Sequence, residues 1–110
     1  MTVTTNLDST TGPVYSSLRD DPDYLELLPF FVDDLPSLRT AMLEFAKVCD
    51  YENVKAQAHR IRGTAGGYGY AGLSSLAGQL EGTCKTSPRN GSAILNDLER
   101  LIEYIDRVRL

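Results

Sequence analysis

Tryptophan is absent from this 110-residue chain, histidine occurs once and cysteine twice. Cys49 and Cys84 share no CxxC spacing, which excludes a disulfide scaffold and leaves too few ligands for a His/Cys metal site. Each reads as a small buried or half-buried residue. No apolar run approaches the roughly 18 residues needed to cross a bilayer. The opening Met1-Thr-Val-Thr-Thr-Asn lacks the basic start and apolar stretch of a secretory signal, so the expectation is a cytoplasmic protein with no membrane partner. Basic residues are also in deficit: 11 Lys and Arg against 15 Asp and Glu give a net charge of −4, with a pI near 4.8. That balance argues against nucleic acid as the main partner, because a phosphate backbone demands a basic surface. What remains is ordinary for a globular protein, 42% hydrophobic and 24% charged. The length suits one domain with a single core.

Residues 1–18 are rich in Thr, Ser and Asp and carry no apolar period, which reads as a flexible N-terminal arm. Period-two alternation is missing throughout, and β-branched residues never cluster as a strand requires. From residue 19 to 110 the pattern is helical. Asp21-Pro22-Asp23 has the form of a helix start, with a carboxylate cap and proline in the first turn. Leu28, Phe31, Val32, Leu35, Leu38, Met42 and Phe45 then mark an amphipathic helix. Pro29 and Pro36 predict a short helix before it or kinks within it.

Val54, Ala58, Ile61 and Ala65 place a second helix over residues 52–65, ended by Gly66-Gly67-Tyr68-Gly69, since glycine inside a helix costs about 1 kcal/mol. A third helix, near residues 70–86, is expected to bury Leu73, Leu76, Leu80 and Cys84. Ser87-Pro88-Arg89-Asn90-Gly91-Ser92 is a strong turn signal. The fourth helix is expected to bury Ile94, Leu95, Leu98, Leu101, Ile102, Ile105 and Val108. The fold class is therefore all-α: an antiparallel up-down four-helix bundle with a short or kinked N-terminal helix.

The single histidine sits in Ala58-His59-Arg60-Ile61-Arg62-Gly63. Residues three and four apart share a helix face, so His59, Arg62 and Gly63 form one surface patch. At about 100° per residue, His59 points about 130° away from the Val54, Ala58, Ile61, Ala65 stripe, toward solvent. A helical histidine is usually an ordinary surface residue. Here an exposed Gly63 in mid-helix costs about 1 kcal/mol relative to alanine with no packing in return, which points to close approach by another group. An unperturbed imidazole, with a pKa of about 6.5, is mostly neutral and nucleophilic near pH 7. Arg62 is placed to pair with phosphoryl oxygens after transfer. The pattern suits a carrier of phosphate on His59. Gly66-Gly67-Tyr68-Gly69-Tyr70 lacks the GK[ST] ending of a phosphate loop and reads as helix termination and close packing. Tyr68 and Tyr70 fit either the core or the rim of a docking surface. Lys55, Arg60 and Arg62 present charge to solvent.

The run from Ala58 to Gly63, followed by Gly69, Leu73, Leu76, Leu80 and Glu81, resembles the histidine-containing phosphotransfer (HPt) domain family over roughly residues 24–110. The family pattern is Ala-His-x-Leu-Lys-Gly, with a glycine ten positions past the histidine and spaced leucines ending in Leu-Glu. The resemblance implies a four-helix bundle in which His59 is phosphorylated at its ε nitrogen by exchange with receiver-domain aspartates. It implies a phosphocarrier in a two-component phosphorelay, not an enzyme, with no cofactor of its own; Mg²⁺ comes from the partner receiver. Expected partners are response-regulator receivers and the receiver of a hybrid histidine kinase, met by a monomer. Arg62 replaces the usual lysine and offers a fork in place of a compact ammonium, while Ile61 replaces leucine. Glu81 stands where some members carry a glutamine that orients the histidine. A carboxylate there can orient imidazole but repels phosphate.

Two other readings fit the same helices. One is a non-phosphorylated helical adaptor or anti-sigma-like binding module, which leaves the His59, Arg62, Gly63 spacing a coincidence. The other is the phosphorylated domain of a larger chemotaxis-type kinase.

Overall fold

A computed structural model describes residues 12–110. Four helices run in order: α1 Leu28–Lys47, α2 Tyr51–Gly67, α3 Ala71–Thr86 and α4 Gly91–Ile105, with no strand among the described residues. Three short connections, at residues 48–50, 68–70 and 87–90, force each helix to double back on the one before it, the geometry of an up-down bundle. α2 and α3 share the most extensive contact, and α1 meets α4 to close the bundle. The inner stripes meet in one core, with Met42, Val54, Ile61, Leu73, Leu80 and Leu101 wholly shielded from solvent.

α1 starts later than the Asp21-Pro22 signal suggests. Residues 22–27 form turns, and the Asp21 carboxylate accepts the Asp23 amide at 2.9 Å, an Asx-turn in place of a helix cap. Pro29 falls in the first turn of α1, where its missing N–H has no intrahelical partner to lose. Pro36 lies inside the helix, which continues past it to Lys47.

The turns after α1 and α2 are built alike. Cys49 has φ +57° and Gly69 φ +85°. In each case the next residue's amide reaches back into the helix, Asp50 N to Phe45 O and Tyr70 N to Ala65 O, both at 2.9 Å. This left-handed cap explains why α2 runs through Gly66 and Gly67, two residues further than their composition suggests: Gly69 is the residue that turns the chain. Cys49 is exposed at its turn, contrary to the expectation of burial, while Cys84 is buried on α3.

The flexible arm expected over residues 1–18 lies outside the described residues as far as residue 11. Its remainder is tied down. Val14 makes a parallel bridge with Val108, through Val14 N to Arg107 O and Arg109 N to Val14 O, each 2.7 Å. Ser16 is 3% exposed and its hydroxyl donates to Tyr68 O at 2.6 Å. A short polar stretch with no apolar period is held here by backbone pairing, which periodicity does not report. Leu95 also differs from expectation. It is 44% exposed, beside Leu43 and Ala46 in a shallow groove between α1 and α4.

Candidate functional site

Asp50 opens α2, its side chain accepting the Asn53 amide at 3.3 Å, a short polar cap of the kind that starts helices. From that start, the buried stripe of Val54, Ala58, Ile61 and Ala65 fixes the rotation of α2, and the opposite face carries His59, Arg62 and Gly63 outward. The His59 side chain is 64% exposed. A side chain built at Gly63 would meet nothing within 4 Å, so the surface one turn beyond the imidazole is open.

Glu81 reaches this patch from α3. Its side chain is 5% exposed, and Oε2 lies 2.7 Å from His59 Nδ1. Arg62 Nε stands 3.2 Å from Oε1, an electrostatic contact without hydrogen-bond geometry, since Oε1 has no hydrogen-bond partner. Lys85 Nζ is 3.4 Å from Oε2. Burial pushes the Glu81 carboxyl up, but the hydrogen bond from His59, the close Lys85 ammonium and the charge of Arg62 outweigh it and hold the group below the ordinary carboxylate range. An ionised carboxylate only accepts hydrogen bonds. In the neutral ring the proton therefore sits on Nδ1, which leaves the lone pair on Nε2 of an exposed ring.

Of the residues singled out from sequence, the fold brings His59 and Arg62 each into contact with Glu81 and leaves Gly63 as open surface. Tyr70 belongs to the core at 1% exposure, with burial pushing its hydroxyl pKa up. Tyr68 packs against that core, and both rings stack on Phe31, with centroids 5.1 and 5.5 Å apart. Lys55 is paired with Glu52 at 3.0 Å, and Arg60 with Asp34 at 3.5 Å.

Two residues of the site escaped sequence reasoning. Lys85 is one; its spacing of four from Glu81 was the available signal. Gly78 is the other: a Cβ there would stand 3.3 Å from Arg62 Cδ, so its bare backbone is the seat across which Arg62 reaches Glu81. The Ser74 hydroxyl adds a tie between the helices, donating to Arg62 O at 2.8 Å.

Residues 26–109 match the family described as Hpt domain. No curated protein and no solved structure matches the chain. With the match spanning all four helices, the chain belongs to the Hpt domain family, the phosphocarriers of histidine phosphorelays.

Proposed function

We propose that this protein carries a phosphoryl group on Nε2 of His59, in exchange with aspartates of response-regulator receivers and of a hybrid kinase receiver. The observation that carries this reading is the His59–Glu81 contact of 2.7 Å at Nδ1 on a ring that is otherwise 64% exposed. It leaves one nitrogen free and nucleophilic. In the forward step the Nε2 lone pair attacks phosphorus as the P–O bond to the receiver aspartate breaks. The carboxylate departs and the N–P bond forms. The ring then bears a positive charge, and the Nδ1–H bond to ionised Glu81 stabilises it. Glu81 meets the ring at the nitrogen that does not react, which eases the repulsion a carboxylate would otherwise exert on phosphate.

Arg62, about half exposed, pairs with the phosphoryl oxygens, and Gly63 leaves room for the receiver. The receiver supplies Mg²⁺ and most of the transition-state electrostatics, while this chain supplies an oriented nucleophile. It acts as a monomer in the cytoplasm and has no kinase activity of its own. Incubation with labelled ATP and Mg²⁺ alone should therefore leave the protein unlabelled, and addition of a cognate kinase and receiver should label it. Robust labelling by ATP in isolation would sink the carrier reading.

A further inference from the structure

With His59 read as the acceptor, a carboxylate in place of an amide at its side demands a counter-charge. We propose that Lys85 is a positioning residue of this site, holding Glu81 against His59 Nδ1 and offsetting its charge beside the phosphoryl group. The inference rests on the acceptor reading and goes beyond it.

Lys85 Nζ lies 3.4 Å from Glu81 Oε2, the same oxygen that His59 Nδ1 approaches to 2.7 Å. The two residues are one helical turn apart on α3, with the acid N-terminal to the base, the favourable order for such a pair. At 5% exposure the Glu81 side chain has little water to meet its charge, so protein groups must do so. Arg62 meets Oε1 without hydrogen-bond geometry. Oε2 is thus the anchored oxygen, hydrogen-bonded from α2 by the imidazole and drawn from α3 by the charge of the Lys85 ammonium, an ion pair at 3.4 Å. Without Lys85, only the imidazole would hold Oε2, and the carboxylate could turn away from it toward Arg62. Its negative charge would also stand uncompensated on that side as a phosphoryl group arrives. Lys85 is 58% exposed, free enough to follow that charge.

The single histidine makes the test unambiguous, because every imidazole signal in a long-range ¹⁵N–¹H spectrum is His59. Full-length wild type, Lys85→Met, Lys85→Arg, Glu81→Gln and Glu81→Gln/Lys85→Met are compared without phosphate, and then after transfer from a phosphorylated receiver. The Nδ1–H tautomer should dominate in the wild type. Lys85→Met should lower the tautomer ratio about threefold, the scale of a half-exposed ion pair, and lower the plateau of His59 phosphorylation similarly. Lys85→Arg should restore both. In the Glu81→Gln background, removing Lys85 should leave the tautomer ratio unchanged. A wild-type ratio in Lys85→Met, or an equal fall in both backgrounds, overturns positioning through Glu81. A wild-type protein that accepts no phosphate overturns the transfer half together with the acceptor reading, whatever the tautomer ratios.

Discussion

The two faces of α2 are held by different means. On the inner face Val54, Ala58, Ile61 and Ala65 are each at 0% exposure, and packing against α1 and α3 fixes them. On the outer face His59 and Arg62 stand in solvent at 64% and 49% side-chain exposure. Their order comes from one buried carboxylate lent by α3. The inner face decides where the helix lies. On the proposed function the chemistry falls to the outer face, which contributes little to stability, so the two can be altered separately.

The sharpest separation comes from His59→Gln. All acid-labile, alkali-stable phosphate should vanish, while stability changes by no more than about 0.5 kcal/mol, because the side chain is at the surface and the glutamine amide can donate to Glu81 in place of Nδ1. Phosphate persisting on this variant, or a collapsed melt, contradicts the division of labour. Ile61→Ala tests the other face. It should cost about 3 kcal/mol in denaturant unfolding, as expected for truncating a fully buried isoleucine. The fraction that remains folded should still accept phosphate at the wild-type rate.

Smaller effects sharpen the outer face itself. Gly63→Gln should fold comparably yet slow receiver-to-His59 transfer at least tenfold, a barrier rise of about 1.4 kcal/mol. Gly63→Ala should instead raise helix stability by up to about 1 kcal/mol, since its methyl would meet nothing within 4 Å. Transfer by Gly63→Gln at the wild-type rate would show that this glycine does not clear the site. Arg62→Ala should leave receiver affinity nearly intact and shorten the lifetime of the phosphorylated form.

The smallest expected effect is on acid stability. Because the fold holds the Glu81 carboxyl below its ordinary value of 4.5, its contribution is complete above that pH. It fades as pH falls through the lowered value, when the group protonates. Melting curves of Glu81→Gln and wild type should therefore converge as pH drops below 4.5, and a gap that widens toward acid would refute the assignment.

The helices and the outer face of α2 were legible because both follow from the 3.6-residue period. That period says that His59, Arg62 and Gly63 share a surface and that Ile61 does not. It says nothing of the separation of 22 positions from His59 to Glu81, a distance closed only when α2 docks on α3. Glu81 was named through resemblance, with its effect on phosphate unresolved, because its depth and the nitrogen it meets are tertiary facts. Gly78 was missed for the same reason; Lys85 carried a sequence signal, its spacing of four from Glu81, but that signal gains meaning only from the depth of Glu81. Leu95 was misread because amphipathic phase reports an apolar position, not how closely a neighbouring helix covers it. The ties of Val14 and Ser17 were not legible because backbone pairing with distant partners leaves no mark in side-chain pattern.

That pairing also has a mechanical consequence. Val14 and Val108 run parallel, with the Val14 amide donating to Arg107 O and the Val14 carbonyl accepting from Arg109 N, 2.7 Å each. Tension applied from the two sides of this bridge, toward lower numbers at Val14 and toward higher numbers at Val108, pulls the segments past each other along their length. Both bonds are then loaded at once, in shear, before the helices carry any of the force. A bridge of antiparallel sense at the same place would have opened one bond at a time.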